Sequence, residues 1–198
     1  MRMNHPLALL DLLAADEPAL AGLPRLGRYL ARMPWFGALA RPLDAATVET
    51  ARACLAGLGI PDADPVPAES LADVEEVLAA ADPGNPLALQ EEQRRAELAD
   101  RIRAQLAQRE AMEEALTVLK GLAAVTAGRA IEEDGVFPPA TPADLLDAAV
   151  GAAAAATVDA ALVLAAGAEA AHPFALRFAL FEKGRWPLAL IGATWHIY

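Results

Sequence analysis

The sequence predicts a mainly α protein of the α+β class, a multi-helix bundle closed by a C-terminal antiparallel β-hairpin or three-stranded meander. Three observations predict it. Apolar residues recur three or four apart along most of the chain, the period of one helix face. Much of the 56% hydrophobic content is alanine, a strong helix former that lets helices approach closely. After His172 and Pro173 the pattern changes. Phe174, Leu176, Phe178 and Leu180 alternate with Ala175, Arg177 and Ala179, which reads as a strand with one buried face.

Residues 1–60 read as an N-terminal region of short helices. Pro6 can open a helix carrying Leu7, Leu9, Leu10, Leu12 and Leu13, and Pro18, Pro24 and Pro34 suit later helix starts or the breaks before them. Asp44 reads as the N-cap of a helix through Val48, Ala51, Cys54, Leu55 and Leu58, with Gly57 and Gly59 as its stop. Residues 61–68, within the run IPDADPVPA, carry three prolines and no helical period. They are assigned as a linker or extended crossover and make the best internal boundary.

Residues 69–198 read as a helical core with the β element, the whole forming one compact unit. Ser70 with Asp73 has the capping-box spacing and opens a helix through Leu71, Val74, Val77 and Leu78 that ends at the turn DPGNP. From 87 to about 131 no proline occurs, and the spacing predicts one long amphipathic helix. Its charged first half is exposed, its apolar second half enters the core, and Gly121 marks a kink. Thr141, Pro142 and Asp144 suggest a second capping box, opening an alanine-rich helix to residue 171. Residues 145–168 are the one stretch to test as a membrane span. Their alanine content and the central Asp159 favour a buried core helix instead. Glu182, Lys183 and Gly184 supply turn chemistry, and residues 186–191 and 194–198 read as further strands around a bend at Gly192.

Composition limits the function. A net charge of −11 argues against nucleic acid as a partner, because phosphate binding needs a basic surface. A single cysteine excludes an internal disulfide framework, and with no leader pattern near Met1 the cytoplasm is the expected compartment. The lone serine, Ser70, is explained as a cap, and Cys54 lies in an apolar helical face, so neither is a nucleophile in waiting. His5, His172 and His196 stand singly, without metal-ligand spacing, and His172 reads as a favourable helix end. Paired carboxylates such as Glu91 and Glu92, or the run Glu132, Glu133 and Asp134, read as solvated faces. There is no P-loop and no G-x-G-x-x-G, so no cofactor and no metal are expected.

One segment departs from the acidic background. Residues 18–43 carry Arg25, Arg28, Arg32 and Arg41 and no acidic residue. Arg25, Arg28 and Arg32 share one helical face, Leu26, Tyr29, Leu30 and Met33 another, and Trp35 and Phe36 follow. By elimination these features predict a non-catalytic protein–protein interaction protein of accessory, adaptor, inhibitor or immunity type. Its partner is another protein or a second copy of itself. Its binding residues are Arg28, Arg32, Trp35, Trp186 and Trp195, with an exposed edge of the terminal strands as a second route. One alternative is a small enzyme or ligand-binding module with Asp144, Asp147, Asp159 and a histidine around a pocket. A peripheral membrane protein using residues 25–36 is the other, although a membrane surface is not the expected partner.

Overall fold

Short-range chemistry starts and stops most of the helices. The computed structural model describes residues 4–82, 84–133 and 135–198; the His5 side chain, Pro83 of the DPGNP turn and Asp134 lie outside the described residues. In the first third, α1 (Asn4–Asp16), a 3-10 turn (Pro18–Leu20) and α2 (Leu23–Leu30) follow one another closely. The Asp44 carboxylate accepts the Thr47 N–H at 2.7 Å and opens α3 (Ala45–Gly57). This helix closes on Gly59 at φ 76°, where Ile60 N–H reaches Leu55 O and Gly59 N–H reaches Ala56 O. That is a Schellman cap, and it requires the left-handed backbone that glycine adopts without strain. The capping box of α4 (Leu71–Ala80) forms as its sequence predicts, with Ser70 Oγ accepting from Asp73 N–H and Asp73 from Ser70 N–H.

Two helices occupy the span predicted as one. α5 (Pro86–Arg103) and α6 (Arg109–Glu133) are separated by residues 104–108, and Gly121 causes no break within α6. Glu17 is the reason. Its carboxylate is buried and accepts the N–H groups of Ala107 at 3.2 Å and Gln108 at 2.8 Å, so a residue some ninety positions earlier caps the start of α6. The second predicted capping box does not form either. α7 (Ala143–Ala165) begins after Pro142 without a side-chain cap, and the Thr141 hydroxyl donates to Pro138 O instead.

The Phe174 segment is a helix, not a strand. α8 (Pro173–Glu182) starts at a proline and is capped by His172, whose Nδ1 accepts the Phe174 N–H at 3.2 Å. His172 therefore begins α8 rather than ending α7. Burial first, then the charges of Arg94 and Arg101, hold its imidazole below its ordinary pKa, which keeps Nδ1 free to accept. Alanine and phenylalanine in alternation fit both periods, and Phe174, Phe178 and Phe181, at helical spacing, are buried together with Pro173 and Leu180.

The mixed sheet has the order β1-β3-β2, from β1 (Asp64–Pro67), β2 (Pro187–Ile191) and β3 (Thr194–Ile197). β2 and β3 form the expected antiparallel hairpin. The third strand comes from the proline-rich stretch, which pairs parallel to β3 with Pro65 opposite Trp195. Asp64 and Ala68 donate inward to Ala193 and Ile197, so Pro65 and Pro67 stand where a donor would point outward. The opposite edge is interrupted as well. Pro187 pairs with Ile197 and Leu190 with Trp195, leaving Leu188 and Ala189 together opposite His196 in a β-bulge. Prolines and a bulge are the devices that discourage strand addition, so neither edge favours the predicted second route to a partner.

One core links these parts, running from Leu10 of α1 to Ile197 of β3. α6 and α7 pack along their length through small residues such as Ala115, Ala123, Ala153 and Ala160. α7 is long and apolar enough to cross a membrane, and 61% of its most apolar window is buried inside the bundle. The two aromatic groups of the sequence merge into one cluster. Trp35 packs on Phe181 at 5.9 Å between ring centroids, and Phe36 on Phe137 at 5.6 Å and on Trp186 at 6.3 Å. Phe36 itself takes φ 61°, a rare conformation for a bulky residue. It is held there by Arg185, whose guanidinium donates to the carbonyls of Ala38, Arg41 and Pro42 at 2.6–2.7 Å. Gly184, at φ 74°, lets this segment close, since a Cβ there would meet Ala38 N at 2.7 Å.

Candidate functional site

The predicted binding residues divide into two groups. Arg28 and Arg32 are exposed on α2 and the turn after it, and Arg28 pairs with Asp11 of α1 at 3.0 Å. Trp35, Trp186 and Trp195 are each no more than 2% exposed. They are packed into the core, where they supply the large apolar volume that an alanine-rich bundle otherwise lacks, and Trp195 also lines the cavity described below. Leu26, Leu30, Met33 and Phe36 also turn inward, which removes the apolar wedge a membrane-binding helix would need. Asp144 and Asp147 are exposed and do not join Asp159, which is buried one end of α7 away.

Asp159 instead lies at the centre of a charged network. α7 carries it into the core at 2% exposure, and Arg95 of α5 grips it with Nε at 2.8 Å and Nη2 at 3.0 Å. That two-pronged pairing satisfies both carboxylate oxygens. The same guanidinium lies 5.3 Å from the centre of the Phe174 ring and reaches Glu91, one helical turn back, at 3.1 Å. Glu91 in turn accepts from Arg177 of α8. Two arginines and two carboxylates thus tie α5 to α7 and α8.

Glu91 is the titratable member to watch. Burial works against its ionisation, but the hydrogen bond from Arg177 and the charges of Arg177 and Arg95 outweigh it and hold its carboxyl below the ordinary value of 4.5. A lowered native pKa stabilises the fold above the ordinary value, and that contribution is lost as pH falls through the native one. Stability should therefore drop as pH falls below about 5, and Glu91→Gln should flatten this slope while weakening the fold at neutral pH. Urea unfolding across that range measures both. An unchanged slope in the variant would assign the acid response to other carboxylates.

Above this network opens a cavity of about 390 Å³. Glu91, Arg95 and Arg177 form its charged floor, and Asp82 and Asn85 add polar groups from the turn before α5. Leu87, Phe181 and Leu188 are among its apolar walls, and the bulged stretch of β2 forms one rim. The chain matches no family model, no curated protein and no solved structure. The cleft's own chemistry must therefore carry the functional reading.

Groups that could react are engaged elsewhere. Ser70 caps α4, and Cys54, fully buried, donates its S–H to Pro173 O at 3.2 Å. Burial pushes the Cys54 thiol up to about 11, so it stays protonated at neutral pH. Iodoacetamide at mildly alkaline pH should leave the folded protein unmodified and label it fully in denaturant, as read by mass. Rapid labelling of the folded protein would show the thiol to be accessible. Among the described residues no cluster of His, Cys, Asp and Glu has metal-holding geometry.

Three of the four charged groups escaped sequence reasoning. Glu91 and Arg95 look like solvated charges on an exposed face, and Arg177 looks like the outward side of a strand. A signal was present nonetheless: Arg177 is a lone cation in an apolar run, as Asp159 is a lone anion in one.

Proposed function

We propose that this chain is a non-catalytic binding protein of accessory or adaptor type, and that it binds through the cleft over Glu91, Arg95 and Arg177. The observation that supports the reading is the cleft itself, an apolar-walled cavity of about 390 Å³ with ionised groups fixed on its floor. Pockets of this kind range over about 300–1,000 Å³ and combine apolar walls with a few convergent polar groups. Recognition fits better than reaction, because Glu91 and Asp159 are already bound by arginine, and Asp82 lies exposed in the turn before α5 with Oδ1 accepting the Gly84 N–H. No serine, threonine, cysteine, histidine or lysine is among the described residues of the lining.

Ala155, exposed on α7 and lining the cavity, allows a direct test. A tryptophan there fills the cleft without entering the core. The tagged wild type and Ala155→Trp are recovered from native lysate, and everything bound to each, protein or small molecule, is identified by mass spectrometry. A stoichiometric species on the wild type that is missing from the variant supports the reading. Identical species on both, or none on either, overturns it.

A further inference from the structure

We propose that the cleft takes a small anion, with a carboxylate-like head on a short apolar body, through the unused N–H groups of Arg95 and Arg177. The inference rests on the cleft being the binding site and adds the class of ligand. Its basis is an imbalance between donors and acceptors. Both oxygens of Glu91 are taken, one by each arginine, and both oxygens of Asp159 are taken by Arg95, with its side chain only 3% exposed. Acceptor capacity beside the two guanidiniums is thus largely spent, and the remaining lining acceptors are Asn85 Oδ1, which takes the Ala88 N–H, and the exposed Asp82, whose Oδ1 takes the Gly84 N–H.

Donor capacity is not. A guanidinium presents a fork of N–H groups on three nitrogens. Arg95 uses Nε and Nη2, while its Nη1 lies 3.9 Å from the exposed Glu92. Arg177 gives Nη2 to Glu91 and lies beside the Cys54 thiol, and among the described residues no other oxygen accepts from it. No fully buried side-chain nitrogen among those residues lacks a partner, so the unused ones keep some accessible surface, and both arginines line the cavity. An oxyanion bridging them would meet two guanidiniums already fixed in place by Glu91, at little ordering cost. A cationic head would instead face the same guanidiniums, with Glu91 and Asp159 already occupied and the exposed Asp82 as the one lining carboxylate without an arginine among the described residues. Leu87, Ala152, Ala156, Phe181 and Leu188 provide the surface for an apolar body.

Isothermal titration of the full chain with hexanoate tests this, against hexanamide and hexylammonium as the same body with a neutral or reversed head, and inorganic phosphate as a head alone. Hexanoate should bind at least about tenfold more tightly than each of the other three. Arg177→Gln should abolish that preference, but it removes a partner of Glu91 and can unfold the chain. Ala155→Glu is therefore the deciding variant. On its exposed helical position it adds a competing carboxylate beside Arg95, and should weaken hexanoate at least about tenfold more than Ala155→Gln, a side chain of the same size without the charge. Equal binding of hexanoate and hexanamide, preference for hexylammonium, phosphate as tight as hexanoate, indifference to Ala155→Glu, or no binding by any of them would each overturn the ligand class. If titration fails while Ala155→Trp still strips a species bound in lysate, the binding-site reading stands and only the anion is wrong.

Discussion

Trp35→Ala should lower the stability of the folded chain by about 3–5 kcal/mol, the range for removing a large aromatic from a packed core. The indole is 2% exposed, meets Phe178 and Phe181 edge-on, and donates from Nε1 to Thr126 Oγ1 at 3.1 Å. Little can move into the space it leaves, because its neighbours Phe36, Phe178 and Phe181 are themselves buried and packed against one another or the core. Trp35→Phe should cost less, about 1–3 kcal/mol, since the ring contacts survive in part and only the donor is lost. Thr126 itself loses nothing essential, as its hydroxyl still bonds Leu122 O at 2.9 Å. Urea unfolding followed by circular dichroism reads both values. Wild-type stability in Trp35→Ala would mean that the indole is not a core anchor and would return it to the surface role its sequence context suggests.

Asp159→Ala should cost about 3 kcal/mol, by leaving the Arg95 charge without its main partner in a partly dry site. Breaking a buried pair typically costs about 3–5 kcal/mol; the lower end applies because the Arg95 side chain is 34% exposed and keeps some hydration. The pair as a whole is worth much less than that loss. Arg95→Met combined with Asp159→Leu should recover most of the stability, because an apolar pair of similar volume avoids the desolvation both charges bear. A double mutant no better than Asp159→Ala would show that Arg95 acts mainly through Glu91 and Phe174. In either case the hexanoate preference should vanish from the double mutant, since it lacks one of the two guanidiniums.

The fold class and most local punctuation were legible in the sequence. Asp44, the Ser70 and Asp73 pair, and Gly59 act on backbone groups within four residues of themselves, so their effect follows from spacing alone. The arginine face was also legible, with Arg25 and Arg28 exposed on α2 and Arg32 exposed in the turn after it. Asp159 stood out as a buried charge in need of a partner, though not which partner. Of the site, then, the sequence marked one member in four.

Tertiary structure decided the rest, where a residue's partner lies far along the chain. The break between α5 and α6 depends on Glu17, and nothing in residues 104–108 announces it. Whether residues 173–182 become a helix or a strand depends on which face finds cover. α3 and α7 cover Phe174, Phe178 and Phe181 on one side of a helix, while Pro65 and Val66 take the place at the sheet that the predicted strand would have filled. Composition marks a tryptophan as an anchor but cannot say for which surface; here the chain's own alanine-rich bundle needed the volume. The cleft is decided in the same way. Glu91 and Arg95 are ordinary helix charges until α7 and α8 bring Asp159 and Arg177 against them, because a charge's partner is fixed by proximity in space, which periodicity along one helix does not encode.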